Sequence, residues 1–379
     1  MVEQQLLPLL GDTQILRVQD FSSFFASEFP AGSRVALLFA EGERPAVRNH
    51  LFSALSPFSP LCAEVGRGAM GLFSLPDDVR AVVALGNRAI PAARFFATLR
   101  NAECAAVPTS PSAEECFAKT APPPFAGYPL RPPQKILLSG NFLQTDCAAA
   151  LAQTALSALC AEELRVHALF AERQPLAALE SAAQSAASLS LSAGEDREQL
   201  FFASALFSLS RTQEFACMGM VQFLQSRMPQ NAAKLAYSVL KTCAERELFL
   251  FEKAQPRPFF VPDYAARLRL CAERTGIAYK KLFANVRVPS GEESFERVRI
   301  FQQSRRRMAD SARLLGEYIQ KIARSYFAEG ESARADTDEA YYLSPELTPL
   351  LSAPVLEREF GLLCSPAHMS AAAKEKDPA

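Results

Sequence analysis

Apolar and polar positions alternate in blocks along the first third of the chain. Gln14–Gln19 (QILRVQ) predicts a short strand. DFSSFFASEF predicts a helix with apolar residues at helical spacing and Asp20 as N-cap. Ser33–Ala40 (SRVALLFA) is a continuous apolar run bounded by Gly32 and Gly42, which suits a strand buried on both faces. AVRNHLFSAL then predicts a helix, PLCAEVG a strand, and Val79–Gly86 (VRAVVALG) the clearest buried strand. IPAARFFATLRN predicts a helix, and Cys104–Ser112 a strand running into a Pro/Ser turn. Strands alternating with helices in this way predict a mostly parallel, Rossmann-like sheet with helices on both faces.

Lys119–Gln134 carries six prolines, so it is neither helix nor central strand but a crossing segment. KILLSGNF (Lys135–Phe142) predicts the last strand. From Asp146 onward the pattern is helical. Seven further helices are expected at 175–193, 196–209, 211–227, 229–251, 261–275, 294–327 and 354–363, and no strand between 145 and 379. The expected architecture is an α/β domain over residues 1–144 and an all-helical domain over 145–379.

Composition adds exclusions. The chain has 379 residues, 49% hydrophobic and 21% charged, with a net charge of −1, so no single-sign field steers nucleic acid or anionic lipid. No apolar stretch reaches the length of a membrane span, and the first residues lack a basic segment followed by a long apolar run. The expectation is a cytoplasmic protein without a nucleic-acid partner or a membrane span. Nine scattered cysteines without a C-x-x-C pair read as small buried hydrophobes. Only three histidines exist, His50, His167 and His368.

VVALGNRAIPAARFFA (82–97), AAVPTSPS (105–112) and KILLSGNFL (135–143) come in a recognisable order and spacing. With the α/β-then-helical layout, they resemble the sn-glycerol-1-phosphate dehydrogenases of the dehydroquinate synthase-like and iron-containing alcohol dehydrogenase superfamily. The resemblance covers most of the chain in layout and is best over Val79–Phe142. It implies a two-domain fold with NAD(P) bound across an interdomain cleft at a G-G-G-S turn. It also implies zinc or iron held by one Asp and two His of the helical domain, and reduction of dihydroxyacetone phosphate.

Matched residue by residue, the motifs are degenerate. Gly86 stands at the first glycine, but Asn87 and Arg88 replace the other two, Ala89 the Ser and Ala92 the Asp, with Arg94 near the Lys. Glycines let backbone approach a pyrophosphate, and Arg88 is expected to fill that space and leave a structural turn, the alternative being an altered anion site in which Arg88 pairs with a phosphate. Val107, Pro108 and Thr109 keep the family's V-P-T, and Ser110 and Ser112 can donate to a ligand. The metal-site aspartate falls near Gln153 or Thr154, with Asp146 two turns too early. The first histidine falls at Phe215 and the second at Pro229 or Gln230. A catalytic zinc needs three N, O or S protein ligands. All three expected ligands are missing, so zinc or iron is not expected and NAD(P) is left open as the cofactor. His167, alone on an Ala/Leu-rich helix, reads as structural. Cys217 could ligate metal but has no obvious partner in the sequence.

The expected function is a non-catalytic homologue of such a dehydrogenase, binding a small anionic ligand or a protein partner in the interdomain cleft. The alternatives are an active NAD(P)-dependent dehydrogenase with rewired ligands, and a metal-independent enzyme of another class. Two other features stay open. Arg297, Arg299, Arg305, Arg306 and Arg307 form either an anion cluster or a solvated helix face, and the acidic EGESARADTDEA that follows reads as an exposed loop. Phe259 and Phe260 form either core or a contact surface, for instance of a homodimer.

Overall fold

The computed structural model describes residues 2–65, 72, 74–119, 128–144, 147–170, 177–192, 196–210, 214–227, 232–257, 260–326 and 334–364. Six strands form one sheet: β1 (Gln14–Arg17), β2 (Val35–Ala40), β3 (Leu61–Val65), β4 (Ala81–Leu85), β5 (Glu103–Val107) and β6 (Lys135–Leu138). Their order is β1-β6-β5-β4-β2-β3, and every pairing is parallel. Phe39 pairs with Leu85 and Leu85 with Val107, so the carboxyl ends of β2, β4 and β5 lie side by side.

The sheet is built as its apolar runs predict. All five residues of β4 are buried, and α4 (Ile90–Arg100) follows it, buried from Ile90 to Ala97. Before it come α1 (Val2–Leu10), α2 (Phe21–Glu28) and α3 (Pro45–Leu55), and after it the short α5 (Glu114–Phe117). Asp20 caps α2 by accepting from the Ser22 and Ser23 N–H groups. Phe21, Phe25, Leu51, Val35, Leu37, Val83 and Leu137 form the core on one side of the sheet.

The remaining helices are α6 (Ala148–Phe170), α7 (Ala177–Ser192), α8 (Arg197–Ser210), α9 (Ala216–Arg227), α10 (Ala232–Glu252), α11 (Tyr264–Thr275), α12 (Tyr279–Asn285), α13 (Gly291–Tyr326), α14 (Arg334–Leu343) and α15 (Ala353–Glu359). No strand occurs among the described residues beyond β6. The chain divides into two compact units, Met1–Ala150 with Ser192–Ser210, and Leu151–Leu191 with Arg211–Ala379. The first therefore takes in α8, which packs on α1 and α5, although the sequence pattern groups that helix with the helical half.

Two expectations need correcting. Part of the acidic stretch read as an exposed loop is α14, in which Thr337 and Ala340 are buried and Glu339 pairs with Arg227 at 2.6 Å. Its charges solvate one face while its apolar residues pack on α9 and α10. In the arginine cluster Arg299, Arg306 and Arg307 are exposed, as the solvated-face reading expects, and only Arg297 and Arg305 depart from it. Arg297 is buried against Glu359, Arg299 pairs with Glu296, and Arg305 donates to the Phe251 and Glu252 carbonyls at 2.7 Å. Phe260 packs its ring against Gly361, while Phe259 lies outside the described residues.

Candidate functional site

In open parallel sheets, ligands bind beyond the carboxyl ends of the strands, where the strand order reverses. Here that point lies between β2 and β4, because β3 continues the sheet to one side and β5 to the other. The turn after β4 begins at Gly86, whose φ is +82°. The only described non-glycine residues with positive φ are Ser59 and Asn101, so neither Asn87 nor Arg88 takes a left-handed backbone.

What lies against Gly86 is a carboxylate. A Cβ at this position would run into Glu43 Oε2 and stand 3.0 Å from Glu43 Cδ and 3.3 Å from Thr109 Oγ1. Glu43 comes from the segment after β2, and its Oε2 accepts from the Thr109 hydroxyl at 3.2 Å. Gly86 keeps its freedom here so that an acidic side chain can lie on the turn. Gly86→Ala should cost about 2 kcal/mol through the positive φ and the displaced carboxylate. Chemical denaturation of G86A and of G86A with E43A checks this, because the double variant should recover the steric part alone.

Asn87 binds the turn to the end of β5. Its Oδ1 accepts from the Thr109 and Ser110 N–H groups at 3.2 and 2.9 Å. Its Nδ2 donates to Ser112 O at 2.8 Å and to Glu115 Oε2 at 3.0 Å. Both donors and both acceptor positions of the carboxamide are thus used. Burial, with Glu114 alongside, pushes the Glu115 carboxyl up to about 7 against the Asn87 bond. The structure therefore brings Gly86, Asn87, Thr109, Ser110 and Ser112 together, and adds Glu43 and Glu115, which the sequence reading did not single out. The signal available for Glu43 was an acid just past a buried strand, in FAEGERP.

Arg88 corrects an expectation. Its side chain is exposed, and the group against Gly86 is Glu43. Arg94, aligned near the family's lysine, does not face a ligand either. It is 1% exposed, and its guanidinium donates to the carbonyls of Arg131, Glu115 and Ala118 at 2.8, 2.6 and 2.6 Å. Pro91 sits in the first turn of α4 and removes one of the N–H groups that a helix N-terminus offers an anion. A carboxylate on the turn and a proline in the helix start do not fit a pyrophosphate seated in the usual way.

The metal-site positions belong to the helical unit. Phe215 is 2% exposed and packs as core, Thr154 is fully buried, and Gln153 is partly buried on α6. Gln230, Pro229, Asp146 and His368 lie outside the described residues. An apolar ring, a hydroxyl and a carboxamide do not form a donor set for catalytic zinc or iron. Among the described residues no three His, Cys, Asp or Glu are grouped to hold a metal ion. His167 is structural, since its Nδ1 accepts the Leu351 N–H at 3.0 Å and burial lowers its pKa. His50 lies edge-on to the rings of Phe21 and Phe142. Phe215 instead lines a groove of about 330 Å³ with Met218, Phe223, Leu282 and Leu347, rimmed by Glu214 and Lys281 at 3.9 Å.

No protein family and no curated protein matches this sequence. Solved structures do match. The chain is similar to an iron-containing alcohol dehydrogenase from Corynebacterium glutamicum, with TM-score 0.53 and 13% identity over 94% of this chain and 97% of that one. It is similar to the NADH-dependent butanol dehydrogenase A of Thermotoga maritima, with TM-score 0.52 and 10% identity over 93% and 97%. It is also similar to YqhD of Escherichia coli K-12, with TM-score 0.52 and 12% identity over 93% and 97%. The fold is thus the two-domain, dehydroquinate synthase-like fold of the iron-containing alcohol dehydrogenases, an N-terminal α/β domain followed by a helical one. No helix among the described residues is long and apolar enough to cross a membrane.

Proposed function

We propose that this chain is a non-catalytic homologue of the dehydrogenases whose fold it shares, and that it acts by binding a small ligand or a protein partner. The observation that carries this reading is the Glu43 carboxylate on Gly86, held there by Thr109. It puts negative charge where a pyrophosphate would need open backbone N–H groups. The apolar Phe215 at a metal-ligand position supports the same reading, because without a metal a keto substrate's carbonyl has no Lewis acid. Exposed Arg88 then serves as the contact for an anionic group of the ligand or partner.

The alternative is an active NAD(P)-dependent dehydrogenase acting on dihydroxyacetone phosphate, as the glycerol-1-phosphate dehydrogenase motifs imply. One feature favours it: an acid past the second strand of a nucleotide-binding sheet is suited to accept from ribose hydroxyls, and Glu43 holds such a place. Metal analysis of the purified protein, with fluorescence titration by NADH and NADPH, separates the two readings. The binding reading expects neither stoichiometric metal nor saturable cofactor binding. One metal per chain together with micromolar cofactor affinity overturns it.

A further inference from the structure

We propose that Cys160 and Cys217 are a peroxide-oxidisable thiol pair, joined by hydrogen peroxide into a disulfide that ties α6 to α9, with Glu163 as the base. The inference is independent of the function proposed above. Cys160 and Glu163 stand three residues apart on α6 and so share one face. That face meets the first turn of α9. The two Glu163 oxygens accept from the Ala216 and Cys217 N–H groups, each at 2.8 Å. This anchor sets the Cys217 Sγ 3.7 Å from the Cys160 Sγ and holds the Glu163 carboxylate on the backbone of the residue that carries the thiol. A disulfide needs about 2.05 Å, a further approach of roughly 1.7 Å.

The Cys243 Sγ contacts the thioether of Met220 at 3.7 Å, and a thioether forms no disulfide. Both cysteines of the pair are buried, at 1% and 0% exposure. Burial, with the Cys160 thiol and the Glu163 carboxyl alongside, holds the Cys217 thiol well above its ordinary value, so its reaction requires a base close by. Glu163, pushed up to about 7 by its own burial, is partly ionised at neutral pH and can take the proton. The 330 Å³ groove is lined by Phe215 and Met218, flanking Cys217 in sequence, while neither thiol lines it.

The chemistry balances. Glu163 accepts the Cys217 proton, and the thiolate attacks one peroxide oxygen. The O–O bond breaks, and the departing hydroxide takes up a proton to leave as water. Cys217 is then a sulfenic acid. The Cys160 sulfur attacks it, the S–S bond forms and the S–O bond breaks. Hydroxide leaves and, with the Cys160 proton, becomes the second water. Two thiols are oxidised by two electrons, and one peroxide is reduced to two waters.

The test treats the folded full-length protein with hydrogen peroxide, then alkylates free thiols in denaturant and maps a non-reduced digest by mass spectrometry. The expected result is a peptide pair linked through Cys160 and Cys217, absent from C160S, C217S and the smaller C160A. E163Q should form it at least about tenfold more slowly at neutral pH, with unchanged circular dichroism. Exposed Cys62 and Cys364 provide the internal gauge. Their full oxidation without the linked pair overturns the proposal, as does a linked pair that forms only in urea. Equal rates in E163Q and the unsubstituted protein overturn the role of Glu163.

Discussion

Arg94→Met destabilises the first unit by about 3–5 kcal/mol, the larger of the two substitution effects expected in that unit. The guanidinium is 1% exposed and has no ion-pair partner among the described residues. Burial lowers its pKa, yet an arginine stays charged, so its hydrogen bonds carry the whole compensation. They reach the carbonyls of Glu115 and Ala118 around α5, and those of Arg131 and, at 3.4 Å, Leu130 in the proline-rich segment. One side chain on α4 thereby ties down both the short α5 and the proline-rich segment. Methionine fills similar volume but leaves those acceptors unpaired. Lysine supplies three donors from a single point and cannot span the fork, so R94K should lose about half as much. Urea unfolding at an unchanged m-value measures both. An R94M midpoint within about 1 kcal/mol of the unsubstituted protein would show that water satisfies these carbonyls instead.

Such a residue marks the limit of reading this chain as a string. The buried strands were legible, because VALLFA and AVVAL are apolar on both faces and the alternating helices leave few ways to cover them. Asp20 was legible as a cap because capping is local. Arg94 was not, since its partners lie 21 to 37 residues away and its sequence context is an ordinary amphipathic helix. Glu43 was missed for the same reason: the contact with Gly86 exists only because β2 and β4 pair in the register Phe39 with Leu85. The sequence offers Cys217 no evident co-ligand for a metal, and the thiol neighbour it does have, Cys160, lies 57 residues away and is brought to it by the packing of α6 on α9. Local propensity decides the elements, while the groups that meet at strand ends and helix starts are set by topology.

The same distinction governs the site. The sequence offers Ser110 and Ser112 as donors for a ligand and Thr109 as the end of the V-P-T strand, and the backbone N–H groups of Thr109 and Ser110 are occupied by Asn87. An asparagine in place of a glycine is therefore more than a lost glycine. It adds a carboxamide that links the two turns from within and gives the strand ends a rigid, self-satisfied surface. What remains outward is the Arg88 guanidinium and, partly exposed, Glu43 and Ser110, while Thr109 and Ser112 are buried. Under the binding function proposed above, that mixed charge suits a polar partner surface better than the uniform donor cradle of a phosphate loop would.

Raising the pH from 5 to 8 lowers the stability of the helical unit, and Glu163 contributes to the loss alongside the buried carboxyls Glu247 and Glu357. Its side chain is 8% exposed, and burial, outweighing two N–H bonds that favour the anion, moves the carboxyl from 4.5 up to about 7. Glu247 shifts well upward in the same sense, through burial first and then the neighbouring Glu162 and Glu163. Its Oε1 is buried without a hydrogen-bond partner. Between the unfolded and folded pKa values the folded state holds the extra proton, so the unfolded state is favoured as pH rises. The stabilisation is whole below about 4.5, falls through the interval and is gone above about 7. For Glu163 this amounts to roughly 3 kcal/mol. His167 acts oppositely: burial lowers its pKa, so stability is gained as pH rises toward 6.5. The comparison that isolates Glu163 is therefore between proteins and not between pH values alone. E163Q carries no proton to lose, and its melting temperature should change less from pH 5 to 8 than that of the unsubstituted chain by at least about 5 °C. Parallel pH profiles for the two would mean that the cap of α9 carries an ionised carboxylate throughout this range.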